Sequence, residues 1–147
     1  MPSKTSENAF VMFYAPWCGH CQTAKPEFKK ALGGKAEDFG SYRNRAISGG
    51  TKLVMVNADD HPNILEQFGV TGFPTFKLLH GVSDRKKLTN FKMVDYNGNR
   101  DANNFELFLK NAFTNNQMGG AALYHKERDP YYKLYKKYKA KYKNQNK

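Results

Sequence analysis

The chain has 147 residues and a formal net charge of +11, from 24 Lys+Arg against 13 Asp+Glu. That length encloses one sizeable core and excludes a multidomain enzyme or a (β/α)₈ barrel. Ile, Leu, Val and Phe number 29, which at this charge would border on disorder if they were spread evenly. They are not. Residues 121–147 hold nine Lys/Arg against Glu127 and Asp129, and only Leu123 and Leu134 of the 29. The first 120 residues hold the other 27 and a net charge of only +4. A globular domain over 1–118 and a basic tail over 119–147 are expected, divided at Gly119-Gly120.

In chain order, Ala9–Ala15 is apolar on both faces and predicts a central strand buried on both sides. A helix is expected from Cys18–Gly19 to about Leu32, with Ala24, Phe28 and Ala31 inward, a kink at Pro26 and a stop at Gly33-Gly34. Residues 33–50 are Gly-rich and polar without a period, and read as loop or weak helix. Leu53–Val56 is a second buried strand. Asp60 is the expected cap of a short helix with Pro62 in its first turn and Gly69 at its end. Thr75–Leu79 and Phe91–Val94 read as strands joined through Gly81–Lys87, and Asp101–Phe113 as an amphipathic helix with Phe105, Phe108, Leu109 and Ala112 inward. The order βα–βα–ββ–α is an α/β pattern.

No apolar run approaches the roughly 20 residues of a membrane-spanning helix. Residues 1–8 contain no apolar stretch of the signal-peptide kind. The last five residues, Lys143-Asn144-Gln145-Asn146-Lys147, are not a retrieval signal.

The chemistry concentrates in Trp17-Cys18-Gly19-His20-Cys21, at a strand-to-helix junction, which holds both cysteines of the chain. A C-x-x-C pair at a helix start sits in the positive end of the helix dipole, which favours the thiolate of the first cysteine. The second cysteine, one turn on, can close a disulfide with it, so the pair can exchange two electrons. Other readings compete. A structural zinc site needs four ligands, but His61, His80 and His125 are too far apart in sequence for a ligand pair. A structural staple gains little from so short a loop. Two inert buried cysteines fit poorly beside His20.

Phe13-Tyr14-Ala15-Pro16-Trp17-Cys18-Gly19-His20-Cys21 resembles the catalytic domain of protein disulfide isomerases, in the thioredoxin superfamily. Gly69-Val70-Thr71-Gly72-Phe73-Pro74-Thr75 resembles the family's cis-proline segment, and Asp95–Arg100 the stretch before the last helix. The resemblance covers roughly residues 9–113. It implies a thioredoxin fold, no cofactor and no metal, and protein substrates that carry cysteines. It assigns Cys18 as the attacking cysteine, Cys21 as the resolving one, and His20 as a group that favours the thiolate and so a more oxidising pair. Isomerase-type and thioredoxin-type potentials differ by about 90 mV, and oxidase or isomerase behaviour is expected over reductase behaviour. Pro74 matches the cis-proline, which would leave the Phe73 backbone free to pair with an extended substrate strand. Trp17 and Gly19 join Phe73 and Pro74 as substrate-binding candidates, and Arg100 matches an arginine that acts on the resolving cysteine.

Two departures stand out. The family's buried acid, six residues before the first cysteine, is Met12 here, and the lysine that usually pairs with it is Met55. Only 17 residues precede Cys18, where the family has a further strand and helix. A minimal thioredoxin fold is expected, with the Leu53–Val56 strand at a sheet edge that needs a cover.

In the tail, Asp129-Pro130 resembles a helix start, and Tyr131, Leu134, Tyr135, Tyr138 and Tyr142 recur at helical spacing among lysines. Three uses are open: a solvated or self-packed helix, possible contact with a polyanion such as nucleic acid, and a protein partner or second copy covering the sheet. Together these residues point to a protein-disulfide-isomerase-type oxidoreductase. The alternative is a binding or structural protein that has a vestigial redox site and acts through its tail. The motif suggests a lumen like that of the endoplasmic reticulum; without a signal peptide, cytoplasmic and viral origins also stay open.

Overall fold

The computed structural model describes residues 6–89, 91–114 and 123–124. Six strands form one sheet: β1 (Glu7–Tyr14), β2 (Ala36–Asp38), β3 (Thr51–Asn57), β4 (Thr75–Val82), β5 (Lys92–Tyr96) and β6 (Leu123–Tyr124), in the order β2-β3-β1-β4-β5-β6. β1 is central, parallel to β3 and antiparallel to β4. Its alternation divides the core. Phe10 and Met12 face one cluster, and Ala9, Val11 and Phe13 face the other.

Helices α1 (Gly19–Lys30) and α4 (Ala102–Thr114) cover the first face. Phe10, Phe28, Phe76, Tyr96 and Phe105 interlock there, with Phe76 and Phe105 ring centroids 4.9 Å apart. Two carboxylates tie the helices together. Glu27 on α1 accepts the Ala102 amide at the start of α4, and Glu106 on α4 accepts the Leu32 amide just past α1. α1 runs through Pro26 and ends at Lys30, two residues short of expectation. A 3₁₀ turn over Ala31–Gly33 follows, with Leu32 at φ +52°.

The second face is covered by short pieces. α2 (Phe39–Tyr42) supplies Phe39 and Tyr42, α3 (Pro62–Gln67) supplies Ile64, and the segment after β4 supplies Leu88 and Phe91. Residues 33–50, read from sequence as loop or weak helix, thus contain a strand and a helix. β2 pairs in parallel with β3 through Ala36↔Leu53 and Asp38↔Met55. The edge expected to lie bare beside Leu53–Val56 is therefore occupied by the chain's own residues 36–38. His61, not Asp60, holds the N-cap position of α3, because the Asn57 carbonyl already receives both the Asp60 and His61 amides.

A buried ion pair at the start of β1 fixes these pieces. Arg85 donates from Nε to Glu7 Oε2 at 2.7 Å and from Nη2 to Glu7 Oε1 at 2.9 Å. The Tyr42 hydroxyl donates to Oε2 at 2.6 Å, and the Ser48 and Gly49 amides donate to Oε1. The guanidinium also lies 4.3 Å from the Tyr42 ring centroid and donates to the Tyr42 carbonyl. Glu7, Arg85 and Tyr42 are 2%, 4% and 1% exposed. Burial alone raises the Glu7 pKa. The hydrogen bonds from Arg85, Tyr42 and Ser48, with the guanidinium charge, outweigh it and hold the carboxyl below its usual range.

Among the described residues no helix is long and apolar enough to cross a membrane. The expected boundary at Gly119-Gly120 and the Tyr/Lys helix over 131–143 lie outside the described residues.

Arg85→Met strands a buried carboxylate and is expected to cost about 3–5 kcal/mol. Arg85→Met combined with Glu7→Leu should recover a large part of that loss, measured by urea denaturation. Glu7 has a folded pKa below its ordinary value of 4.5, so its contribution is full above that pH and is lost as pH falls through the folded value. Acid unfolding of the parent should therefore steepen as pH falls from 4.5 toward the folded value, and Glu7→Leu/Arg85→Met should flatten it.

Candidate functional site

β1 ends at Tyr14, and Ala15-Pro16-Trp17 turns the chain into α1. The Cys18 amide donates to the Ala15 carbonyl at 3.1 Å, closing that turn. Cys18 is the N-cap of α1, and its sulfur accepts the Cys21 amide at 3.2 Å. The first thiol thus does the work that Ser or Asp does at other helix starts, facing otherwise unpartnered amides.

The Phe73–Pro74 bond is cis, and Thr75 opens β4 opposite Phe13. This pairing carries the Phe73 carbonyl over the cysteine turn, 3.7 Å from Cys18 Sγ. Trp17 is 71% exposed, and its ring meets Phe73 edge-on at 5.7 Å. Gly19 and His20 are exposed at the helix start, and a Cβ on Gly19 would meet nothing within 4 Å. Trp17, Phe73 and the open helix start therefore frame one shallow surface around Cys18.

Both cysteines are reduced, with Cys18 9% and Cys21 1% exposed. Cys18 is covered in part by the Phe73 carbonyl. It is still the more accessible of the two. Burial and the hydrogen bond with Cys18 push the Cys21 thiol up to about 11. The Ala15 backbone contact and, more weakly, the Arg100 charge pull it the other way. Arg100 is exposed just before α4, so its charge reaches Cys21 from the solvent side.

The floor beneath the pair is apolar. Met12 and Met55 stand opposite one another in the β1–β3 register and share the core cluster of Cys18 and Cys21. The protein keeps a buried lysine elsewhere. Lys77, on β4, is 3% exposed and reaches Asp95 on β5 at 2.6 Å.

Two features near the site went unread in the sequence. Lys25, seven residues after Cys18 on α1, lies 4.4 Å from the Tyr14 ring centroid. Tyr14 has its pKa raised by burial, then by Asp38 and Asp60, with Cys21 contributing. Two-turn helical spacing from Cys18 was the available signal for Lys25. Among the described residues no cluster of three His, Cys, Asp or Glu could hold a metal ion.

The thioredoxin family model matches residues 3–111. A protein disulfide-isomerase A6 homolog of Drosophila melanogaster is 42% identical over 92 residues, covering 63% of this chain and 17% of that protein. Protein disulfide-isomerase tigA of Aspergillus niger is 35% identical over 106 residues, covering 72% and 25%. The chain thus spans a quarter or less of the length of these relatives. In fold it is similar to the Trx4 domain of ERdj5 (TM-score 0.53, 24% identity, 75% of this chain and 82% of that one) and to human ERp44 (TM-score 0.54, 20% identity, 76% and 26%). A cysteine pair capping α1 under a cis-proline segment, on this sheet and with these relatives, places the chain in the thioredoxin family as a protein-disulfide-isomerase-like member.

Proposed function

We propose that this protein exchanges thiols and disulfides with cysteine-containing protein substrates, as an oxidase and isomerase. The observation that carries the reading is Cys18 Sγ, set at a helix N-terminus, 3.2 Å from the Cys21 amide and 3.7 Å from the Phe73 carbonyl. The Cys18 thiolate attacks one sulfur of a substrate disulfide, and the other leaves as a thiolate. Cys21, once deprotonated, attacks Cys18, releases the substrate dithiol and leaves a Cys18–Cys21 disulfide. Run backwards, the same steps oxidise a substrate dithiol. Trp17 and Phe73 offer the substrate apolar contact, and the backbone at Phe73 offers it hydrogen bonds. Such chemistry suits an oxidising compartment.

Cys18→Ser should abolish both insulin reduction and the refolding of scrambled ribonuclease. Cys21→Ser should leave the first attack intact and accumulate mixed disulfides, visible as higher-mass species on non-reducing gels. An unaltered refolding yield in Cys18→Ser would overturn the redox reading in favour of a binding protein.

Resolution should be slow near neutrality, since burial over an apolar floor holds the Cys21 thiol above its ordinary range. Its rate should rise with pH through the alkaline range. Met12→Glu supplies a carboxylate at that floor. It should speed resolution several-fold near neutral pH and lower stability by about 1–3 kcal/mol, since Met55 gives the new charge no partner. Stopped-flow tryptophan fluorescence separates the two steps.

A further inference from the structure

We infer that Lys25 is a positioning residue for the resolving step: its ammonium, seated on the Tyr14 ring, holds a positive charge beside Cys21 and favours the thiolate that releases the substrate. The inference rests on the exchange chemistry proposed above and names a residue for its second step.

The helix sets the placement. Lys25 stands one turn after Cys21 on α1, so the two are neighbours on one face, about 5–6 Å apart at Cβ. Helical side chains lean toward the N-terminus and cover the turn before their own, which for Lys25 is the turn of Cys21. Lys25 is half-buried, and its Nζ lies 4.4 Å from the ring centroid of Tyr14, the last residue of β1. Tyr14 in turn packs against the core cluster that contains Cys21. The ring attracts the cation, so the lysine stem is held at the site rather than spread through solvent.

This ammonium is not neutralised. Lys25 takes no part in the ion pairs that bind Lys30, Arg45, Lys77 and Arg85, and among the described residues no carboxylate pairs with it. The other groups around Cys21 come from five places. α1 contributes Cys18 and the exposed His20, and β1 contributes Tyr14. The turn after β3 contributes Asp59 and Asp60, the end of β2 contributes Asp38, and the approach to α4 contributes Arg100 and Asp101. Met12, Met55, Phe76 and Phe105 add no charge. Asp38, Asp60 and Cys21 all act on Tyr14 as negative charges, so the ring joins the surroundings of the acids to those of the thiol. The acids oppose a thiolate. Arg100 favours it from the solvent side, and Lys25 from the side of Tyr14.

In the resolving step Cys21 gives its proton to solvent, and its thiolate forms a bond to Cys18 Sγ. The bond from Cys18 to the substrate breaks, and the substrate sulfur leaves with the electron pair and takes up a proton. A cation beside Cys21 enlarges the thiolate fraction at neutral pH. It also makes that thiolate less nucleophilic, which returns about half of the gain on a logarithmic scale.

The test is iodoacetamide alkylation of Cys21 followed by mass spectrometry between about pH 7 and 9, in a Cys18→Ser background where Cys21 is the one cysteine left. No substrate or exchange step enters this measurement. Lys25→Gln should slow alkylation about two- to threefold, and Lys25→Glu about four- to ninefold. Lys25→Arg should stay within about 1.5-fold of the parent, since it keeps the charge and the ring contact. Lys29→Gln makes the same change of net charge on the exposed side of α1 and should also stay within about 1.5-fold. The gap between parent and Lys25→Gln should close at strongly alkaline pH, where a lysine is neutral, which lost packing alone would not produce. With Cys18 restored, resolution of the mixed disulfide in Lys25→Gln should slow by the same factor. Thermal melting shows that each variant is folded. Exchange in the parent with alkylation unchanged in Lys25→Gln, or slowed equally in Lys29→Gln, overturns this inference and leaves the proposed function standing. Absence of exchange in the parent overturns the proposed function, and the resolving role falls with it.

Discussion

The buried contact between Glu7 and Arg85 is the constraint on which the sheet's second face depends. β1 is apolar on both sides, so it needs two covers. One cover is conventional, two long helices that bury an aromatic cluster. The other is assembled from a four-residue helix, a six-residue helix and a loop. Pieces this short have almost no helical stability of their own. The four-residue helix and the loop are held by a carboxylate at the first residue of β1 that takes hydrogen bonds from both, from Tyr42, Ser48 and Gly49 on one side and Arg85 on the other. A buried ion pair is a weak source of net stability. Here it fixes which segments meet, and the apolar residues Phe39, Leu88 and Phe91 follow it into place.

With both faces closed, β1 becomes a rigid rail between the two ends of the domain. Its parallel neighbour β3 sets Met55 against Met12, and its antiparallel neighbour β4 sets Thr75, and so Pro74, against Phe13. The cysteine turn and the cis-proline segment are far apart in sequence and meet because both leave the same end of this rail. The position of Phe73 over Cys18 is thus a product of sheet register, supported by the sulfur contact and by the edge-on meeting of the Trp17 and Phe73 rings.

Legibility followed locality. The central strand, the start of α1 at the cysteines and the segment around Pro74 could be read because each carries its signal in consecutive residues. Residues 33–50 could not. Their apolar content is thin, and β2 exists only because β3 offers it an edge. Glu7 read as part of a polar N-terminus, since its partner Arg85 lies 78 positions away and neither residue shows periodicity. Asp60 was the natural cap by residue type, but the Asn57 carbonyl had already drawn the amides of that turn inward. At the site, the identities of Cys18 and Cys21 were plain. Their burial was not, because the cover over Cys18 comes from a carbonyl 55 positions away.

The same contrast separates the two sulfurs chemically. Cys18 belongs to the helix end, and its partners are the Cys21 amide and the Phe73 carbonyl. Cys21 belongs to the core, and one helical turn takes it from 9% to 1% exposure and onto a floor that includes Met12 and Met55. The two methionines make sense only together. A carboxylate at position 12 without a cation at position 55 would be a buried unpaired charge, as would the reverse. Replacing both with a flexible apolar side chain removes that cost and fills the gap. It also leaves, among the described residues of that cluster, no carboxylate beneath Cys21. In the proposed exchange, attack would then depend on the helix end, and release of the substrate on the packing of the core. A change in the core that leaves the cysteine turn untouched can therefore alter how long a substrate stays attached.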